Sequence, residues 1–152
     1  KRRMNEFCTN EIERFRDAWR VKYCEKSIEC DFAGMRLSGI IDRIDMKDEE
    51  LSVLDYKTGS YPLYTAKTFT DATDFQLEFY YLLASTLGRV SSCGYYDLKD
   101  SKIVPEALLE EKLAILESHI KDLLNIEDVN FEMTEDVKSC LFCEFKIMCG
   151  RE

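Results

Sequence analysis

Residues 39–45 read Gly-Ile-Ile-Asp-Arg-Ile-Asp, and residues 53–59 read Val-Leu-Asp-Tyr-Lys-Thr-Gly. Both stretches are rich in the β-branched and aromatic residues typical of strands, and the polar residues 47–50 between them are typical of a hairpin loop. A loop centred between Asp48 and Glu49 places Asp42 directly opposite Asp55. The sequence therefore predicts an antiparallel hairpin that carries two opposed carboxylates.

These opposed carboxylates need a compensating charge. Directly opposed residues have Cβ atoms about 4.5–5.5 Å apart, where like charges destabilise a sheet. Period-2 alternation puts Lys57 on the same face as Asp55, and it puts Asp42 between Ile40 and Ile44 on a face expected to be apolar. A divalent cation beside the lysine is the reading we favour. The alternative is a pair of solvated strand carboxylates with an ordinary salt-bridge partner.

These residues carry a resemblance to a known family. Asp42, followed by Asp55-Tyr56-Lys57, resembles the motif of the PD-(D/E)xK nuclease superfamily, and the longer phrases around them resemble its RecB/AddB-type branch. Gln76 and Tyr80 resemble the Gln-x-x-x-Tyr motif of that branch. The resemblance covers roughly residues 28–150. It implies an α/β fold with a restriction-endonuclease-like core, in which helices flank a mixed central sheet.

The resemblance also implies a chemistry and site residues. We expect a Mg²⁺- or Mn²⁺-dependent deoxyribonuclease of the exonuclease type, acting in DNA double-strand-break processing or recombination repair. Asp42, Asp55 and the backbone carbonyl of Tyr56 would hold the metal ion. Asp42, Asp55, Lys57 and Gln76 would be catalytic, and Tyr80 would contact the DNA substrate. On the residues alone, a mostly buried helix remains an alternative for residues 76–80.

Three cysteines near the end of the sequence form a second motif. Cys140-x2-Cys143-x5-Cys149 resembles the terminal cysteine cluster of the iron–sulfur members of this branch. That resemblance implies a [4Fe–4S] cluster in a full-length parent protein, with its fourth cysteine upstream of the catalytic core. Cys8 is a weak candidate for this fourth ligand. A zinc site is the competing assignment.

A missing histidine bears on how complete the site is. The family places a metal-binding histidine ahead of the first aspartate, but residues 9–41 contain none. We therefore expect residues 1–152 to be a single nuclease domain, the C-terminal fragment of a longer helicase-nuclease type protein, with an incomplete active site. Glu25 or Glu29 is a weak candidate for the missing metal ligand. His119, the single histidine, is expected at the surface.

Composition limits the remaining possibilities. With 152 residues, 45% of them hydrophobic, the chain can bury one core. It shows no apolar run of the roughly 18 residues needed to span a membrane, so we expect a cytoplasmic protein with no membrane partner. A net charge of −9 argues against a free-standing DNA binder. A helicase subunit or helicase domain would then help to hold the DNA. The alternative is a non-catalytic module that binds DNA ends or a partner.

The pattern of apolar residues gives an α/β order of elements. It predicts a helix over residues 5–24, a short strand over 28–33, the hairpin, a helix over 70–87, a strand over 90–98 and a helix over 105–124. Arg43 and Asp45 alternate with Asp42 and are expected to form a surface pair.

Overall fold

The computed structural model describes residues 2–125 and 132–151. None of the helices in these two ranges is long and apolar enough to cross a membrane. Short 3₁₀ turns occupy Phe69–Asp71 and Val137–Cys140. The main elements are α1 (Arg2–Arg16), β1 (Arg20–Phe32), β2 (Met35–Lys47), β3 (Glu50–Lys57), α2 (Gln76–Ser85), β4 (Arg89–Asp97), β5 (Lys102–Pro105) and α3 (Leu109–Leu124).

The five strands form one sheet in the order β1-β2-β3-β4-β5. Strand β3 pairs with β4 in parallel, and the other three pairings are antiparallel. Parallel neighbours need a crossover connection, which here contains α2. The mixed central sheet and its flanking helices confirm the predicted α/β fold.

The β2–β3 hairpin has the predicted register. Lys47 pairs with Glu50, and Arg43 pairs with Leu54. The two loop residues, Asp48 and Glu49, have φ values of 48° and 67°. Positive φ at both loop residues is the geometry of a two-residue type I′ turn, whose twist matches that of the strands. Continued by one residue beyond Arg43, this register sets Asp42 across from Asp55.

The first helix is shorter than predicted. The helix expected over residues 5–24 ends at Arg16, and β1 already begins at Arg20. Ala18, in the turn between them, has φ 69° and breaks the helical path. Strand β1 then pairs with β2 from Arg20 to Phe32. Backbone pairing along this length outweighs the helical spacing of the apolar residues near residue 20. The strand expected over 28–33 is therefore present but longer than predicted, since it begins at Arg20.

Two other helices begin later than predicted. In the helix expected over 70–87, α2 starts only at Gln76, whose backbone N–H donates to Asp74 Oδ1 at 3.1 Å. In the helix expected over 105–124, α3 starts at Leu109. The residues just before α3 pair with β4 as β5, which the sequence pattern did not predict. Pro105 ends this edge strand, a position that proline tolerates in a sheet.

The main core lies between the sheet and α2. Ile41 and Ile44 both belong to it and are fully buried, whereas Ile40 is 55% exposed. The strict alternation of buried and exposed side chains along β2 is therefore broken near Asp42. The expectation that Ile40 shares an apolar face with Asp42 is wrong. Glu25, between the residues of β1 that pair with Arg43 and Ile41, has φ 47° and marks the same irregularity. Helix α2 crosses β2 closely at Gly39, where a Cβ atom would lie 2.9 Å from Leu83 Cδ1.

Helix α1 covers the opposite face of the sheet through buried charges. Arg43 lies 2.7 Å from Asp45 and 2.7 Å from Glu11, and Arg14 Nε lies 2.6 Å from Asp45 Oδ2. Arg43 is 2% exposed and Asp45 is fully buried, so the expected surface pair is wrong. The physical reason is the helix itself, which places its own charged residues over this pair. We call Glu11, Arg14, Arg43 and Asp45 the α1 clamp.

Candidate active site

The ends of β2 and β3 place the two predicted acids together. The backbone N–H of Tyr56 donates to Asp42 Oδ2 at 3.0 Å. Asp42 on β2 thus contacts the backbone of the residue that follows Asp55. Burial raises the pKa of the Asp55 carboxyl group, and the nearby Asp42 charge raises it further. The hairpin therefore brings both carboxylates to one site.

Three side chains form a closed set of contacts beside these acids. Lys57 Nζ lies 2.8 Å from Asp55 Oδ2 and donates to Gln76 Oε1 at 2.7 Å. Gln76 Nε2 donates to Asp55 Oδ1 at 2.9 Å. We call Asp55, Lys57 and Gln76 the site trio. Its geometry fixes the orientation of the Gln76 amide, because the oxygen faces the ammonium group and the nitrogen faces the carboxylate.

Gln76 reaches the trio because it is the first residue of α2. Tyr80 lies one turn later on the same helix, so the two side chains share a face. Gln76 Nε2 also approaches the Tyr80 hydroxyl at 3.3 Å. Burial is the first cause that raises the pKa of Tyr80, and the charges of Asp55 and Asp42 raise it further. The helix thus carries both motif residues to the carboxylates.

Burial and charge set the properties of the trio. Asp55 is only 3% exposed. Burial raises the pKa of Asp55 above its ordinary value, the Lys57 ammonium opposes that rise, and the Asp42 charge adds to it. Lys57 keeps 25% of its side chain exposed, and its Nζ lies 5.3 Å from the centre of the Tyr95 ring. Lys57 is therefore the more accessible member of this ion pair, and Asp55 the buried one.

Tyr95 is a part of the site that sequence reasoning missed. It lies directly beside Asp55 because β3 and β4 pair in parallel with this register. Nothing local in the sequence indicates this neighbour, since a crossover of about thirty residues separates the two strands. Only the alternating pattern of β4 could have suggested that the Tyr95 side chain faces the core.

The donor set suits a hard divalent cation. Two carboxylates, Asp42 and Asp55, share the site with one ammonium group, which leaves excess negative charge. Mg²⁺ is commonly bound through one or two carboxylates together with waters and substrate oxygens. The rise that the Asp42 charge causes in the Asp55 pKa is a repulsion that a bound cation would relieve. The residues therefore fit the predicted metal, with the Tyr56 carbonyl as a further predicted ligand.

A third side-chain ligand is not in place. Within residues 2–125 and 132–151, no three His, Cys, Asp or Glu side chains are grouped to hold a metal ion. Glu29 instead pairs with Arg36 at 2.9 Å on the exposed part of β1 and β2. Glu25 lies near Asp42 by strand register, but it completes no such group. His119 is exposed, as expected, and its ring meets that of Phe75 edge-on at 5.7 Å.

The cysteine motif also lacks a grouped set of three ligands within the described residues. Cys140 is buried and Cys149 is exposed, and Arg151 Nη1 donates to Cys140 Sγ at 3.1 Å. Cys8 is exposed on α1. The described residues bring no three of these thiols together, so shared ligation by Cys140, Cys143 and Cys149 stays a prediction.

A comparison with protein families bears on the whole chain. The family model of the PD-(D/E)XK nuclease superfamily matches residues 1–150. The chain belongs to the PD-(D/E)XK nuclease superfamily. The Asp42, Asp55 and Lys57 positions follow the order in the superfamily's name, and the mixed sheet agrees with its restriction-endonuclease-like fold.

Other comparisons are less informative. A comparison with curated proteins gives no significant match. Among solved structures, SSO0001 is similar to the chain at 13% sequence identity with a TM-score of 0.38, and the match covers 96% of this chain and 67% of that chain. The placement in the PD-(D/E)XK superfamily therefore rests on the family model.

Proposed function

We propose that this domain is a metal-dependent DNA nuclease that hydrolyses phosphodiester bonds. The observation that carries the proposal is the site trio, in which Lys57 and Gln76 contact a buried Asp55 while Asp42 lies beside it. The partly exposed Lys57 and the two carboxylates beside it provide complementary charge for a phosphate and a cation. Family membership supports nuclease chemistry in general, and the trio supports these residues as its site.

The residues have separate roles in this mechanism. Asp42, Asp55 and the Tyr56 carbonyl would hold Mg²⁺ or Mn²⁺, which when bound supplies Lewis-acid polarisation of the phosphate and a more acidic water. Lys57, fixed by two contacts, orients the attacking water or stabilises charge on the phosphate. Gln76 holds both Lys57 and Asp55 in place. Tyr80 borders the trio, where it would contact the DNA backbone.

The finer assignment is part of the same proposal. We infer an exonuclease of the RecB/AddB-type branch, acting in double-strand-break processing or recombination repair together with a helicase domain or subunit in the cytoplasm. The longer phrases around Asp42 and Asp55 support the branch. The net charge of −9 supports a division of labour, because phosphate binding rests on Lys and Arg that other parts of a larger protein would supply.

The cysteine motif supports a further proposal about the parent protein. Cys140, Cys143 and Cys149 would ligate an iron–sulfur cluster there, or zinc in the competing assignment. The described geometry does not group these thiols, so no step of the mechanism is assigned to a cluster. Iron and zinc analysis of anaerobically purified protein, with Cys143→Ser as the comparison, distinguishes the two metals. Absence of both metals in the full-length parent would contradict the proposal.

A non-catalytic module that binds DNA ends or a partner is the second candidate function. The observations that favour it are the acidic charge balance and the absence of a third grouped ligand within the described residues. Such a module would bind DNA without cleaving it, and Lys57 would take part in no reaction. Cleavage therefore separates the two candidates.

The test is cleavage of linear DNA by the full-length parent and by this chain, with and without Mg²⁺ or Mn²⁺. Asp55→Ala and Lys57→Ala should each lower the cleavage rate by about 10²–10³-fold or more, since loss of one preorganised charged group has that effect. Asp100→Ala, on an exposed loop, is the matched control. Near-wild-type cleavage by either site variant would rule out the catalytic assignment.

A further inference from the structure

A second group of charges is buried between α2, α3 and the loop that precedes α2. Lys112 on α3 is 1% exposed, and Glu78 on α2 is fully buried. Lys112 Nζ lies 3.0 Å from Glu78 Oε1 and 2.9 Å from Glu106 Oε2. Removing such charges from water is costly, and apolar residues of similar size often hold helices together as well. Like the α1 clamp, this cluster fixes how the segments that supply its charges are held together.

The first link to the candidate active site is the first turn of α2. Gln76 and Glu78 are two residues apart, so their side chains leave the helix about 200° apart. Gln76 contacts Lys57 and Asp55 on the sheet side. Glu78 contacts Lys112 on the α3 side. The turn that carries Gln76 is thus held from two opposite directions.

The second link runs through the loop ahead of α2. Lys112 Nζ lies 5.0 Å from the centre of the Tyr64 ring. The Tyr64 hydroxyl accepts hydrogen bonds from the backbone N–H groups of Thr73 at 3.1 Å and Asp74 at 3.3 Å. Asp74 Oδ1 in turn accepts from the backbone N–H of Gln76 at 3.1 Å. Lys112 is therefore linked both to the residues before Gln76 and to the residue two positions after it.

We propose that Lys112 is a positioning residue for Gln76, acting through Glu78 and through Tyr64. It fixes the start of α2 so that the Gln76 amide meets Lys57 and Asp55 together. The consequence for cleavage rests on the proposed function, in which these three residues form the site. The positioning itself is a property of the metal-free chain and is tested there.

The variants are chosen to keep the chain folded. Lys112→Met would leave Glu78 and Glu106 buried without their cation, a change that itself threatens folding. Glu78→Leu removes one carboxylate and leaves Lys112 paired with Glu106. Glu11→Leu is the matched control, since it removes one of the two carboxylates that hold Arg43 and does not touch α2.

The first readout is hydrogen exchange of the Gln76 side-chain amide, measured by NMR on the metal-free chain. Its resonances are identified by their loss in Gln76→Ala. Exchange should become at least about tenfold faster in Glu78→Leu, because weaker positioning opens these hydrogen bonds more often, and should stay near the wild-type rate in Glu11→Leu. Equal effects in the two variants, or no change in Glu78→Leu, would overturn the proposal. If only Glu11→Leu folds, Glu78→Gln replaces Glu78→Leu under the same criteria.

The second readout is steady-state cleavage of linear DNA. Glu78→Leu should lower kcat by about tenfold with little change in KM, because small misplacements near a reacting centre have large effects on rate. The double variant Gln76→Ala/Glu78→Leu should be no slower than Gln76→Ala, and Glu11→Leu should leave kcat unchanged both in the wild type and in Gln76→Ala. Independent effects in the first double variant would overturn the proposal. Full cleavage by Asp55→Ala would instead overturn the proposed function and leave the exchange result standing.

Discussion

The two faces of the central sheet carry the same kinds of charged residue in different arrangements. On the α1 face, two arginines meet two carboxylates in the α1 clamp, and Asp45 there is fully buried. On the α2 face, the partly exposed Lys57 pairs with Asp55, and Asp42 adds a second carboxylate that accepts from the Tyr56 backbone N–H. Balanced, closed charges hold a helix on the sheet. The α2 face instead keeps an excess of negative charge, which the proposed function assigns to a bound cation.

The largest expected effect is on stability and concerns the α1 face of the sheet. Arg43→Met leaves Glu11 and Asp45 buried without their shared cation, so the free energy of unfolding should fall by about 3–5 kcal/mol. Lys57→Met is the matched variant on the other face, and it should cost less, because Lys57 is partly exposed and Asp55 keeps its hydrogen bond from Gln76. Urea denaturation followed by circular dichroism measures both. Similar losses in the two variants would remove the distinction between the faces.

The next effect tests metal binding with neighbouring acids of one strand. Asp42→Asn should weaken Mg²⁺ or Mn²⁺ affinity by at least about tenfold, since changes around a metal commonly cost 10–100-fold. Asp45→Asn should leave the affinity unchanged and lower stability instead. Isothermal calorimetry measures the affinity in both variants. Unchanged binding in Asp42→Asn would count against its ligand role.

The smallest effect concerns the tyrosine that borders the α2 face. The Tyr61 hydroxyl donates to Asp97 Oδ2 at 2.9 Å, and burial, followed by the Asp97 charge, raises the pKa of Tyr61 to about 12. Tyr61→Phe should lower the free energy of unfolding by about 1 kcal/mol at pH 8, the usual value of one hydrogen bond.

The sign of the pH dependence follows from that raised pKa. Unfolded tyrosine titrates near pH 10, so the Tyr61 contribution is complete below about pH 10 and is lost as the pH rises towards 12. The stability difference between wild type and Tyr61→Phe should therefore shrink between pH 8 and pH 11 in urea titrations. A difference that stays constant over this range would show that the hydroxyl contact contributes little.

Local patterns in the sequence predicted the hairpin well. The register that sets Asp42 opposite Asp55 depends on a two-residue loop and on pairing between adjacent strands. The loop and the pairing are both encoded within a few residues. The position of Gln76 beside Lys57 came from the resemblance to a family motif. Its geometry is as expected, while the catalytic role of these residues stays a prediction.

The errors come from long-range packing. Arg43 and Asp45 were expected at the surface because nothing near them in sequence shows that α1 returns over them. Helix α1 is also shorter than its sequence pattern predicts, since backbone pairing of β1 with β2 begins at Arg20 and overrides helical spacing. The contact of Tyr95 with the site and the Lys112 cluster both depend on how distant segments pack, so local periodicity does not predict either of them.

The parallel pairing of β3 with β4 has a consequence for the order in which the protein folds. Asp42 and Asp55 meet through a tight local turn, which forms on the microsecond scale. Gln76 arrives only when the crossover of residues 58–88 closes, and closing a long loop is slower and opposed by entropy. A nascent chain thus holds its paired acids before it has the amide that orders them. Assembly of the site trio is thereby tied to completion of the fold.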